Sequence, residues 1–340
     1  MFISDRKKKE KRNNRTSEED SNEEEIVESY ELDEHKAILV NKNTIVYGIP
    51  GCGKSWYVNN VLLKDFKKDY IIRTTFHPDY SNTDFIGQLR PIKDKKGIDY
   101  KVVPGPFTKA LLYAFKNKDK AVALVIEEIN RGNASAIFGD IFQLLDRSDS
   151  TGESEYYITN KAIEDYFADE GIIVNSILLP KNLYIFATMN TSDQNVYKLD
   201  TAFKRRWTFK RLTNEYNKKI DGFNEKCRFG IEGSCIDDWV VFVESINKII
   251  LSNKDDLNGD RQLGYWFVKK GITNEEFANK VLEYLYNDVL KYAEKSLIFK
   301  STYESDSFDK IYDDFINGKN VFNDNVVVTE QQSTCSNNNN

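Results

Sequence analysis

Short apolar runs alternate with amphipathic stretches over the first two thirds of the chain, and amphipathic stretches alone fill most of the rest. Residues 44–47 (TIVY), 121–126 (AVALVI) and 183–188 (LYIFAT) are continuous apolar or β-branched runs of strand length, as in strands buried on both faces. Residues 70–75 (YIIRTT) read as another strand and 207–209 as a short fifth. Between them, 54–63, 107–115 (FTKALLYAF) and 135–145 carry helical spacing, with Pro106 placed where a helix opens. This alternation predicts an α/β fold with a parallel sheet covered on both faces. Residues 147–180 form an insertion of β-prone patches around a short helical piece. Beyond about residue 215, the stretches 237–251, 274–295 and 307–317 read as amphipathic helices of a smaller second domain. The expected organisation is a disordered charged tail over 1–40, an α/β domain over 41–212, a helical domain over 213–322 and a disordered tail over 323–340.

Charge changes this picture only at the N-terminus. The chain of 340 residues has a net charge of −6, with 40% hydrophobic and 30% charged residues. Residues 1–15 hold seven Lys/Arg, and 18–34 hold ten acids and no base, which suits a solvated tail. The body that remains is close to neutral and has no basic stripe, which argues against strong autonomous DNA binding. There is no apolar run of membrane-spanning length and no signal-peptide core at the start, so a cytoplasmic protein is expected. Four scattered cysteines and two histidines argue against a structural zinc site and a His-centred triad.

The candidate chemistry begins at Gly48-Ile49-Pro50-Gly51-Cys52-Gly53-Lys54-Ser55, which fits GxxxxGK[ST] between a strand and a helix. Glycines let successive N–H groups turn toward phosphate oxygens at the helix start. Lys54 is expected on the β- and γ-phosphates and Ser55 on Mg²⁺, with Trp56 flanking the loop and Cys52 as a small filler. ATP or GTP is the expected ligand. Glu127 and Glu128 close the buried run 121–126, as metal-side residue and general base. Glu127 stands where Asp is common and reaches one methylene further. Asn190 ends the run 183–188, where it can hold a water or report phosphate loss. Arg205 and Arg206 follow a short helical stretch, where they can reach across a subunit boundary onto a neighbour's γ-phosphate.

P-loop, acidic pair, asparagine and paired arginines, all ahead of a helical domain, resemble the order in AAA+ ATPases. FHPDY–DFIG (76–87), EEINRGN (127–133) and MNTSD (189–193) look like the McrB family, the motor of McrBC-type restriction systems. The resemblance implies a helical lid, hexameric rings, nucleotide between subunits and a McrC-like partner that carries or recruits a nuclease. It places Asn190 and Asp193 in a catalytic signature loop, and Arg205 and Arg206 as trans-acting arginines. It also suggests Arg261 as a lid residue that senses nucleotide. The loop here reads Thr-Ser-Asp-Gln rather than Thr-Ala-Asp-Arg. A charge-rich stretch of only about 40 residues precedes the motor, so DNA contact is expected through a partner. The McrB likeness points to GTP, the wider class to ATP. Alternative readings are a MoxR- or dynein-related protein-remodelling ATPase, and a nucleotide-gated scaffold with little turnover.

Overall fold

The computed structural model describes residues 41–94, 97–191, 196–253, 256–303, 305 and 307–328. Expectations for the tail 1–40, for residues 329–340 and for Asp193 lie outside the described residues. Seven strands are present among the described residues: β1 (Asn43–Gly48), β2 (Ile71–Thr75), β3 (Gly87–Asp94), β4 (Gly97–Pro104), β5 (Val122–Glu127), β6 (Leu183–Asn190) and β7 (Thr208–Arg211). Five of them form one parallel sheet in the order β2-β5-β6-β1-β7. The run Val122–Ile126 is wholly buried and polarity returns only at Glu127, so the strand's last residue lies at the sheet edge where water reaches it.

The strand order fixes the site. β6 sits between β1 and β5, so Asn190 pairs with Gly48 on one side while Ala187 pairs with Ile126 on the other. The glycine loop, the acidic pair and the asparagine thus emerge together at the carboxyl ends of three adjacent strands. Ligands of open α/β sheets bind at that edge.

Two apolar cores support this arrangement. The sheet core joins Phe76, Phe85, Phe138, Phe203 and Trp207, with neighbouring rings 5.0–5.7 Å apart along that path. The second core is helical and gathers Trp239, Phe242, Phe277, Phe315 and Phe322. Its longest helix, Trp239–Ser252, is capped by Asp238, whose Oδ1 accepts from the N–H groups of Val240 and Val241 at 2.8 and 3.1 Å.

Two sequence expectations need correction, and one element went unread. The antiparallel hairpin β3–β4 was not foreseen in the stretch after 87. Its side chains are largely solvated, so no core imposes a clean alternation. The helix expected over 135–145 runs only from Ala134 to Phe138. At Gly139 the backbone turns to φ 51° and continues as a tighter helix to Leu145. Residues 323–328, assigned to the tail, pack on the helical core: Val326 and Val328 are buried, and the Val328 carbonyl accepts from Asp237 N–H at 2.9 Å.

Candidate nucleotide site

Gly51 and Gly53 adopt φ of 72° and 84°, left-handed values that an L side chain resists, and this curls the loop after β1. Gly53 immediately precedes the helix Lys54–Tyr57, whose first N–H groups have no partner within the helix. Ser55 is exposed at this opening and Trp56 half-buried. Lys54 is buried and folds back over its own loop, donating to the carbonyls of Gly48 (3.1 Å) and Ile49 (3.2 Å). Cys52 is fully buried, and burial pushes its thiol up despite the nearby Lys54 ammonium. A neutral buried thiol acts as filler.

The acids are individually held. Glu127 Oε1 faces Arg73 of β2 at 3.1 Å, and Oε2 accepts from the Thr188 hydroxyl at 2.6 Å. Glu128 has φ 54° and is the single non-glycine residue in the left-handed region among the described residues. Such a conformation costs about 1–3 kcal/mol and persists only where surrounding contacts enforce it. Those contacts are visible. Asn190 Nδ2 donates to both Glu128 carboxylate oxygens at 2.9 and 3.0 Å, and Arg131 Nε lies 3.8 Å away. The Glu128 N–H donates to Thr188 Oγ1 at 3.1 Å, so one hydroxyl braces both acids.

The paired arginines part company. Arg206 is turned inward, with Nε and a terminal nitrogen on Asp146 at 3.0 and 2.6 Å, and its guanidinium lies over the Phe142 ring at 4.0 Å. With 8% of its side chain exposed it is engaged within its own chain rather than in the outward position its expected trans role calls for. The Arg205 side chain is exposed and makes no hydrogen bond or ion pair among the described residues, while its backbone N–H donates to the Thr201 carbonyl at 3.1 Å. Arg261 is likewise engaged within its own chain. It donates to the Asp288 carbonyl within the helical domain, while its neighbours Asp260 and Gln262 face the nucleotide side.

Between the sheet edge and the helical domain lies a cavity of about 860 Å³. Gly48, Ile49 and Leu212 form its sheet wall, and Asn247, Lys248 and Gln262 part of its helical wall. Lys218 projects here as well, held by Glu244 at 2.9 Å and Glu215 at 3.1 Å. A cleft of this size suits a nucleotide, but it meets the glycine loop only at Gly48 and Ile49, and Gly51, Lys54, Ser55, Glu127, Glu128 and Asn190 lie outside its lining.

Residues 43–207, from the first strand through the arginine pair, match the model of the AAA domain, dynein-related subfamily. The chain is also 41% identical over 281 residues to the type II restriction enzyme BsuMI component YdiS of Bacillus subtilis, a match covering 74% of this chain and 80% of that relative. The chain belongs to the dynein-related AAA family. A second relative, the type IV methyl-directed restriction enzyme EcoKMcrB subunit of Escherichia coli, is 29% identical over 177 residues, covering 51% of this chain and 36% of that protein. This AAA ATPase is therefore related to components of restriction systems, and its helical domain stands where an AAA domain carries its lid.

Sequence reasoning missed several residues of this AAA site. Arg73 was a detectable signal, a charge inside the otherwise uncharged run YIIRTT. Thr188 gave none, since a threonine in a strand is ordinary. Arg131 lies only three residues beyond Glu128, inside the quoted EEINRGN stretch, yet was given no role there. The lid cations Lys218 and Lys248, by contrast, are far in sequence from the motifs, and only the fold brings them to the cavity.

Proposed function

We propose that this AAA protein hydrolyses a nucleoside triphosphate at sites shared between neighbouring copies of a ring, and works as the motor subunit of a McrBC-like restriction or defence complex. The observation that carries the hydrolytic reading is the left-handed Glu128 backbone locked by Asn190 beside the glycine loop. The turn presents the Glu128 carboxylate at the end of β5, two strands from the glycine loop, and the reading puts the γ-phosphate before it. Glu128 then takes the proton of the attacking water, and Asn190 holds that water or Glu128 in place. Loop N–H groups and Lys54 bear the phosphate charge.

A hydroxyl and a carboxylate, Ser55 and Glu127, fit the protein's small share of a Mg²⁺ site completed by phosphate and water. Bound there, Mg²⁺ supplies charge neutralisation on the phosphates. Arg205 is the residue offered to a neighbour, and a finger of this kind accelerates hydrolysis by about 10³–10⁵. Its solvent-facing position supports that role. The restriction assignment draws on the relatives' names, and a McrC-like nuclease-carrying partner is the complement it calls for. Among the described residues no helix is long and apolar enough to cross a membrane.

The deciding measurement is phosphate release with Mg²⁺-ATP and Mg²⁺-GTP, alone and with the product of each neighbouring gene, a McrC-like protein first among them if one is encoded there. Weak basal turnover that rises sharply with the partner is expected, and the faster nucleotide identifies the base. Indifference to every neighbouring gene product removes the restriction reading. A nucleotide-gated scaffold is favoured by one contact, the Arg73–Glu127 ion pair that engages the metal-side acid. That reading requires wild type and Glu128→Gln to share a near-zero rate.

A further inference from the structure

The lid reaches the back of the P-loop through a short strap, residues 263–267. The strap is anchored by amide side chains. Asn247 exchanges two hydrogen bonds with the Leu263 main chain, at 2.7 and 2.8 Å, and Asn214 Nδ2 donates to the Leu263 carbonyl at 2.9 Å. Trp239 Nε1 donates to the Tyr265 carbonyl at 2.8 Å. So fixed, the strap donates to the loop: Gly264 N–H to the Pro50 carbonyl and Trp266 N–H to the Gly51 carbonyl, both at 2.9 Å. Asn217, also from the lid and 1% exposed, donates Nδ2 to the Cys52 carbonyl at 3.1 Å. Contact is close enough to require glycine on both sides. A methyl on Gly264 would lie 2.1 Å from the Gly51 carbonyl carbon, and one on Gly51 2.5 Å from Phe267 N.

Three consecutive loop carbonyls are therefore pinned by the lid. In a planar trans peptide the N–H points opposite to the C=O of the same unit. Pinning Pro50, Gly51 and Cys52 carbonyls outward turns the N–H groups of Gly51, Cys52 and Gly53 to the inner side of the loop. Cys52 N–H meets the Ile49 carbonyl there at 3.2 Å, which leaves Gly51 and Gly53 directed at an incoming anion.

We propose that the strap 263–267 and Asn217 are positioning elements that set the P-loop peptide planes for phosphate. Lid position and phosphate affinity are then coupled. A lid that swings away frees the planes to rotate and weakens the phosphate site, and a bound phosphate, by fixing the planes, holds the lid. This rests on reading residues 48–55 as a phosphate loop.

The test measures binding of ribose-labelled fluorescent ADP and GDP with Mg²⁺, and displacement by inorganic pyrophosphate, in wild type, Gly264→Ala, Asn217→Leu and Lys54→Ala. Asn217→Leu should weaken the labelled nucleotide about fivefold, the worth of one lost hydrogen bond, and Gly264→Ala about tenfold or more. Pyrophosphate, which has no base to touch the lid, should weaken by the same factors. Folded variants that bind both probes like wild type overturn the proposal, as does a loss seen for nucleotide but not for pyrophosphate. If wild type binds neither probe, or Lys54→Ala binds both unchanged, the phosphate-loop reading has failed and the strap falls with it. Hydrogen exchange guards against a variant that does not fold: in wild type, saturating Mg²⁺-nucleotide should slow exchange of Gly264 and Trp266 N–H, and unchanged exchange counts against the coupling.

Discussion

Glu127, Glu128, Lys54 and Arg206 are each engaged by a named neighbour while Arg205 stands outward, which makes single substitutions informative. Glu128→Gln preserves shape and the Asn190 contact while removing the proposed base. It should retain nucleotide binding and lower single-turnover phosphate release by about 100-fold or more, within the range of general-base effects. Arg205 and Arg206 are adjacent but separable. Arg205→Ala should leave the urea unfolding midpoint unchanged and abolish assembly-dependent hydrolysis. Arg206→Ala strands the Asp146 carboxylate and should cost roughly 2–4 kcal/mol, somewhat below a fully buried pair because Asp146 keeps part of its solvent. Away from the site, a hydrogen bond from Lys319 and another from the Tyr303 hydroxyl pull the Asp314 carboxyl down from 3.8 to about 2. The folded form binds this proton less tightly than the unfolded chain. Its stabilising effect is therefore full above about pH 4 and is lost as pH falls toward 2. Over that window the wild type should lose more of its unfolding midpoint than Asp314→Asn does.

Elements were legible in proportion to how completely they are buried. The apolar runs leading to Gly48, Glu127 and Asn190 announced β1, β5 and β6, because a strand covered on both faces has nowhere to place a polar side chain. The hairpin β3–β4 escaped notice for the opposite reason. Leu89, Ile98 and Tyr100 stay more than 60% exposed, so no core disciplines the pattern. The lid's central helix starts where its cap says it should. Asp238 satisfies two orphan N–H groups and pairs with Arg228 at 2.9 Å. Asp238→Ala should cost about 1–2 kcal/mol in thermal or urea unfolding, with the lid core around Trp239 loosening first.

At the scale of the whole molecule, the proposed active site is divided between copies, and complementation can reveal this. Glu128→Gln subunits keep Arg205, while Arg205→Ala subunits keep Glu128. Mixed at equal ratio, two inactive preparations should regain hydrolysis, since roughly a quarter of randomly formed interfaces unite an intact base with an intact arginine. Continued silence of the mixture, with ring formation verified by ultracentrifugation, would place the whole site within one subunit.

Local motifs were legible in the amino-acid order alone. A glycine loop ending in Lys-Ser, two acids at the end of an apolar run and an asparagine at the end of another each depend on a few contiguous residues, so the chain spells them out. Tertiary structure decided whatever depends on residues distant in sequence. It inserted β6 between β1 and β5, which brings Asn190 to Glu128. It turned Arg206 onto Asp146 while leaving Arg205 outward, a distinction two adjacent arginines cannot encode locally. It also set Gly264 against Gly51 across more than two hundred residues, where the absence of a side chain acquires meaning only once its neighbour is in place.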